Sequence, residues 1–143
     1  MIRVGRRAPR FQLPALVEGE LRCLDSAHLA GRCQVLCFVP WLGPGEAALL
    51  DGQGRMLARL GAVFLAVAPK HFSLHQPVCG GGVGIRTASL IIDPLGRLHR
   101  CYGIARPATP AKCNTFLIDR EQVVRFHLVH GLEAKGWRRC GNS

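Results

Sequence analysis

The stretch QVLCFVPWLGPGEAALLDGQGRMLARLGAVFLAVAP, residues 34–69, decides how this chain folds. Gln34–Val39 is an apolar run closed by Pro40, which reads as a strand buried on both faces. Trp41–Gly45 is a Gly/Pro loop. From Glu46 to Leu60, Leu49, Leu50, Met56, Leu57 and Leu60 recur at helical spacing, although Gly52 and Gly54 weaken the middle. Ala62–Ala68 is a second buried strand. Strand, helix and strand in that order specify a βαβ unit.

Upstream, Phe11–Leu13 and Glu20–Leu24 flank a Pro/Gly-containing turn and predict a hairpin. Asp25 and Ser26 are placed to cap a short helix that Gly31 ends. Downstream, Lys70–Gly84 is irregular and contains Gly80–Gly82, so it has the most backbone freedom. Ser89–Ile92 is a third strand. It runs into Asp93-Pro94-Leu95-Gly96, a type I turn with Pro second and Gly fourth. A short helix follows around Leu98–Tyr102, and Thr115–Ile118 and Val123–Val129 predict a hairpin across Asp119–Gln122. No repeat or linker interrupts the chain, and 143 residues suit one domain, 1–143. The order predicts an α/β, thioredoxin-like sandwich with a mixed central sheet and an N-terminal hairpin extension.

Composition narrows the function classes. With 48% hydrophobic and 20% charged residues, the chain can bury a core, which excludes disorder as its main state. Its longest apolar stretch, Leu60–Pro69, is about half the ~20 residues that a spanning helix needs, so no membrane role is expected. The N-terminal MIRVGRRAPR has charge but no apolar segment behind it, so no secretory signal is read and a cytoplasmic, reducing setting is expected. The net charge of +10 comes from basic residues scattered from Arg3 to Arg139, without interleaved aromatics. Dedicated nucleic-acid binding is therefore not expected, whereas an acidic protein partner suits the charge.

Seven cysteines (Cys23, Cys33, Cys37, Cys79, Cys101, Cys113 and Cys140) are an odd number and contain no CxxC. Cys33 and Cys37 fall in a strand-like run, where four residues span ~13 Å, too far for a disulfide. Most of the seven are expected to be small buried hydrophobes, with Cys37 structural inside its strand. The six histidines form no metal pattern: Pro77 and the glycines after it break the His71/His75 helical spacing. His127 and His130, near a strand end, read as surface residues. No metal or cofactor is expected.

Five segments together resemble the peroxiredoxin (alkyl hydroperoxide reductase/thiol-specific antioxidant) family. They are VGRRAPRFQLPAL (4–16), QVLCFVP (34–40) before a PG loop, GAVFLAVAP (61–69), LIIDPLGRLHRCYGI (90–104) and NTFLIDREQVVRFHL (114–128). They cover nearly the whole chain in the family's order. The ensemble of VG-x-x-AP-x-F, IDP-x-G-x-L-x-x-x-YG and TFLID carries the specificity. Leu132–Arg139 offers at most two turns for the C-terminal helix that ordinarily follows the last strand.

The resemblance implies chemistry at a Cys thiolate in Pro-x-x-x-Thr-x-x-Cys after the central strand, with an Arg about three residues before the Phe of TF-x-ID. A helix N-terminus lowers the thiol pKa there, and attack on peroxide leaves sulfenic acid. This sequence departs at each point. Counted from Pro40 without a gap, the Thr position is Pro44 and the Cys position Ala47. Aligning Pro44-Gly45 to the family's loop instead makes them Gly43 and Glu46. No Cys occurs in Trp41–Arg59. The Arg position is Cys113, with Lys112 beside it as a substitute cation. The degenerate loop thus comprises Pro40, Trp41, Gly43, Pro44, Gly45 and Glu46.

Cys79, followed by Gly80, stands where some members carry a resolving Cys, so Cys79 and Cys113 are the redox candidates, paired together or as Cys113 with Cys101. The resemblance implies an antioxidant-type redox protein, a thioredoxin-type reductant and a homodimer. The alternative is a partner-binding or regulatory module on the same fold without catalysis.

Overall fold

A computed structural model describes residues 3–40, 42, 44–69, 89–104 and 112–131, with Pro44 described in its backbone alone. The elements are β1 (Gln12–Val17), β2 (Glu20–Asp25), β3 (Gln34–Phe38), α1 (Pro44–Arg59), β4 (Val63–Val67), β5 (Ser89–Ile91), α2 (Arg97–Cys101), β6 (Cys113–Ile118) and β7 (Val124–His130). A single turn of 3-10 helix, Ser26–Leu29, follows β2. The seven strands form one mixed sheet in the order β2-β1-β5-β4-β3-β6-β7. The α/β, thioredoxin-like architecture with its N-terminal hairpin is the one expected. Among the described residues no helix is long and apolar enough to cross a membrane.

Local chemistry explains most boundaries. The first hairpin turns at Glu18 and Gly19, both with positive φ (53° and 82°), as a two-residue turn between right-twisted strands requires. Pro14 is not in that turn but inside β1, opposite Cys23. It is tolerated because its carbonyl still accepts the Ile92 N–H at 2.8 Å, at the end of the short β1–β5 ladder. Asp25 caps the 3-10 turn by accepting the Ala27 N–H. Ser26 instead ties down the chain start, its Oγ accepting the Phe11 N–H at 2.9 Å. α1 runs unbroken through Gly52 and Gly54 because Ala47, Leu50 and Leu57 pack on the sheet.

Period-two alternation sorts the core into two layers. Cys37, Val39, Phe64, Ala66, Leu90 and Cys113 face α1. Leu36, Phe38, Leu65, Val67, Ile91, Phe116 and Ile118 face α2 and the N-terminal segment. On that second side Phe38 meets His99, Tyr102 and Phe116, with ring centroids 5.1–5.8 Å apart.

Asp93, in the Asp-Pro-Leu-Gly turn, is buried beneath α2. Its Oδ2 accepts from the His99 N–H (2.9 Å) and meets His99 Nδ1 (2.7 Å), while Oδ1 has no protein partner among the described residues. Burial alone would raise its pKa; the His99 ring and the His99 and Leu98 N–H groups outweigh that and hold it below the ordinary aspartate value of 3.8. A depressed carboxylate stabilises the fold above its unfolded pKa and loses that contribution as pH falls through the folded one. Asp93→Ala is expected to cost about 2–4 kcal/mol at pH 7 in urea unfolding. The gap from the parent should narrow as pH drops below the ordinary aspartate value; a gap that stays constant into that range would show that the carboxylate charge contributes nothing.

Candidate functional site

The C-terminal end of β3, the start of β6 and the end of β7 meet under the α1 side of the sheet. Cys37 stands opposite Thr115 in the antiparallel β3–β6 ladder, and Cys113 stands opposite His130 in the β6–β7 ladder. Side chains two apart on a strand share a face, so Cys37, Cys113, Thr115 and His130 converge from three strands. Both thiols have 0% exposure and His130 has 6%.

The contacts are specific. Cys113, His130 and Thr115 are the polar side chains that act on the Cys37 thiol. Thr115 Oγ1 lies 2.6 Å from His130 Nε2, and His130 Nδ1 lies 2.8 Å from the Gly131 carbonyl. A carbonyl only accepts, so Nδ1 carries a proton and Nε2 is the ring nitrogen that gains or loses one. The Cys113 thiol is the largest influence on Cys37 and lowers its pKa. Burial opposes that, and bonds from His130 and Thr115 with the nearby His130 charge carry it down from 9.0 to about 6. Cys113 moves the other way, driven up by its bond to Cys37, by burial and by the Cys37 charge. Burial pushes His130 down, but Cys37 and the Gly131 carbonyl outweigh it and hold the ring above its ordinary 6.5.

Several expectations change here. Cys37 is buried inside β3 as expected, and Cys113 lies in the same core cluster. His130 is buried rather than a surface residue, because its strand ends against Cys113; His127 is exposed and stacks on Phe116 at 4.1 Å. Cys113 and Cys101 do not pair, since Cys101 is exposed on α2, whose Leu98 packs on the opposite side of the sheet. Nor are most described cysteines buried: Cys23 and Cys101 are exposed and Cys33 is half-buried. Pro40 is half-buried in the bend after β3. Pro44, Gly45 and Glu46 open the first turn of α1, with Glu46 half-buried and Ala47 in the core. Lys112 is exposed, one residue before β6. Cys79, Trp41 and Gly43 lie outside the described residues. Among the described residues no group of three or more His, Cys, Asp or Glu is arranged to hold a metal ion.

No protein-family model matches the chain. Peroxiredoxin-2 of Macaca fascicularis is 27% identical over 140 residues, 91% of this chain and 71% of that one. The mitochondrial thioredoxin-dependent peroxide reductase of Rattus norvegicus is 27% identical, over 90% of this chain but only 54% of its own length. The mitochondrial 2-Cys peroxiredoxin of Plasmodium falciparum superposes with a TM-score of 0.74 at 19% identity, covering 96% of this chain and 89% of the other. The chain is thus similar to peroxiredoxins in sequence over nine-tenths of its length and shares their fold. Here the two buried described thiols lie in one cluster on β3 and β6, and the first turn of α1 contains no cysteine.

The reduced chain is expected to show one thiolate by absorbance near 240 nm with a midpoint near pH 6, well below an ordinary cysteine. Cys37→Ser should remove that step. If it persists in Cys37→Ser, the low-pKa thiol lies elsewhere.

Proposed function

We propose that this peroxiredoxin-family protein is a thiol redox protein in which peroxide oxidises the Cys37–Cys113 pair, the family's usual helix-end thiolate being absent. One observation carries the reading: Cys37 and Cys113 are buried in one cluster on the same face of adjacent strands, Cys113 two residues from the Thr115 that stands opposite Cys37. At the start of α1 the alignment offers Glu46 or Ala47. A carboxylate there gains ~0.3–1 kcal/mol from the helix dipole, which explains its presence, but neither side chain can reduce an O–O bond. The burial of both thiols favours a small oxidant over a protein disulfide. The reductant that suits the product is a thioredoxin-type dithiol in a reducing, cytoplasmic setting, the rat relative being named thioredoxin-dependent.

The test treats the full chain with hydrogen peroxide and maps its peptides. A Cys37–Cys113 disulfide is expected, lost in Cys37→Ser and in Cys113→Ser and retained in Cys79→Ser. If a Cys37→Ser/Cys113→Ser double variant consumed peroxide as fast as the parent, the reading would be wrong.

A separate observation favours an interface role, whether or not the site turns over. β7 is an edge strand, and Leu117, Phe126, Leu128 and Val129 on the last two strands are 40–57% exposed. An apolar edge of this kind pairs readily with another strand. A homodimer joined along β7 would cover it. Sedimentation should then give twice 15.6 kDa for the parent and a shift toward monomer for Phe126→Glu; a monomeric parent at micromolar concentration would sink the idea.

A further inference from the structure

We propose that the end of the sheet remote from the thiols is a docking surface for an extended, acidic polypeptide segment, held by a row of arginines on four adjacent strands. Along the sequence the basic residues are scattered, but the fold gathers several of them. In the strand order β4-β3-β6-β7, Arg59 closes α1 four residues before β4, Arg32 lies two residues before β3, and Arg120 two residues after β6. Arg7 is bridged to Val123, the residue before β7. β4, β3 and β7 start at this end and β6 finishes there, whereas Cys37 and Cys113 lie toward the other. The main chain ties these segments together: the Gly31 N–H donates to the Arg120 carbonyl (3.2 Å), the Val124 N–H to the Arg6 carbonyl (2.9 Å) and the Val63 N–H to the Cys33 carbonyl (2.9 Å).

The four arginine side chains are exposed, and none forms an ion pair with a described carboxylate. The acids of the neighbouring β6–β7 turn are already engaged. Asp119 Oδ2 takes the Arg125 Nε proton at 2.6 Å, and Glu121 lies 3.9 Å from the same guanidinium. On a chain of net charge +10, this row gains from carboxylates brought by a partner. Guanidinium forks accept carboxylates in bidentate pairs, which an ammonium cannot do.

Spacing and borders set the kind of partner. Adjacent strands lie ~4.8 Å apart, so the row from β4 to β7 is about 14 Å long. An extended segment advances ~3.3 Å per residue, so about five residues cover that row, with alternate side chains facing the arginines. Leu60, 75% exposed, borders the row beside Arg59, and Val4, 58% exposed, borders it near Arg7. These borders are aliphatic, whereas single-stranded nucleic acid is held by aromatic stacking platforms. Glutamates at alternate positions with apolar residues between them match both features. Docking here leaves the Cys37–Cys113 cluster uncovered, so the inference stands apart from the dithiol reading.

The test titrates the full chain into a labelled peptide of Glu-Leu-Glu-Gly repeats and follows fluorescence anisotropy. Binding is expected at low salt, weakening as salt screens the charges, and absent for the peptide with Gln in place of Glu. Arg7→Ser/Arg32→Ser/Arg120→Ser should weaken binding by about tenfold or more, three exposed pairs each contributing modestly. Arg22→Ser/Arg97→Ser/Arg100→Ser removes the same charge elsewhere and should change binding less than about twofold. Arg7→Lys/Arg32→Lys/Arg120→Lys, which keeps the charge but not the forks, should fall between parent and the first serine variant. Equal losses in the two serine variants, equal binding of the Gln peptide, or no binding of the Glu peptide at low salt overturns the proposal. So does a DNA duplex or a phosphatidylserine vesicle that binds the parent more tightly than the peptide in the same buffer, since the row would then serve phosphates or a membrane.

Discussion

Strand β3 is bonded over its whole length on both sides, in parallel to β4 and antiparallel to β6. That double pairing is the constraint on which the rest depends. A strand locked from two sides cannot slip, and a slip of one residue would exchange its faces. Cys37 would then turn toward Phe116 and Tyr102, and Phe38 would turn into the layer under α1. With the register held, Leu36 and Phe38 serve one layer while Val35, Cys37 and Val39 serve the other.

The locked strand also joins two buried polar pairs at the same end of the sheet. On the α2 side, Asp93 holds His99, and the His99 ring meets the Phe38 edge in a T-shaped contact. On the α1 side, Cys37, the residue next to Phe38, shares a buried cluster with Cys113, and His130 stands opposite Cys113. The aromatic cluster of Phe38, Tyr102 and Phe116 fixes the backbone beneath the thiol. Tight packing of this kind keeps the Cys37 sulfur in one place relative to its neighbours. The same packing leaves both thiols without exposure, so access to them is restricted to small molecules or to local opening.

Much of the fold was legible because its signals are local. Apolar runs of five to seven residues, the Asp-Pro-Leu-Gly turn and the Asp25 cap each act within a few residues of chain. The Pro14 assignment failed for a local reason too: proline usually marks a turn, and only the end of the β5 ladder makes room for one inside β1. The site was less legible. Cys113 drew notice from its place in the family pattern, but its partner did not. His130 is opposite Cys113 because a bulge between Leu117 and Ile118 shifts the β6–β7 register by one residue. Counting back from the Asp119–Gln122 turn without that bulge pairs Cys113 with Val129 and sends His130 to the other face. Cys37, amid Val, Leu and Phe, looks like any small core residue until β6 is placed beside it.

By itself the sequence determined the α/β class, the order of elements, the family pattern and the absence of a cysteine from Trp41 to Arg59. These are properties of residue spacing along one chain. Only the tertiary structure decided that, among the five described cysteines, Cys37 and Cys113 share one buried cluster, and that His130 is buried opposite Cys113. Residues 37, 113 and 130 are separated by dozens of positions and by a register shift, and hydrogen bonds between side chains depend on angstroms across strands rather than on distance in sequence.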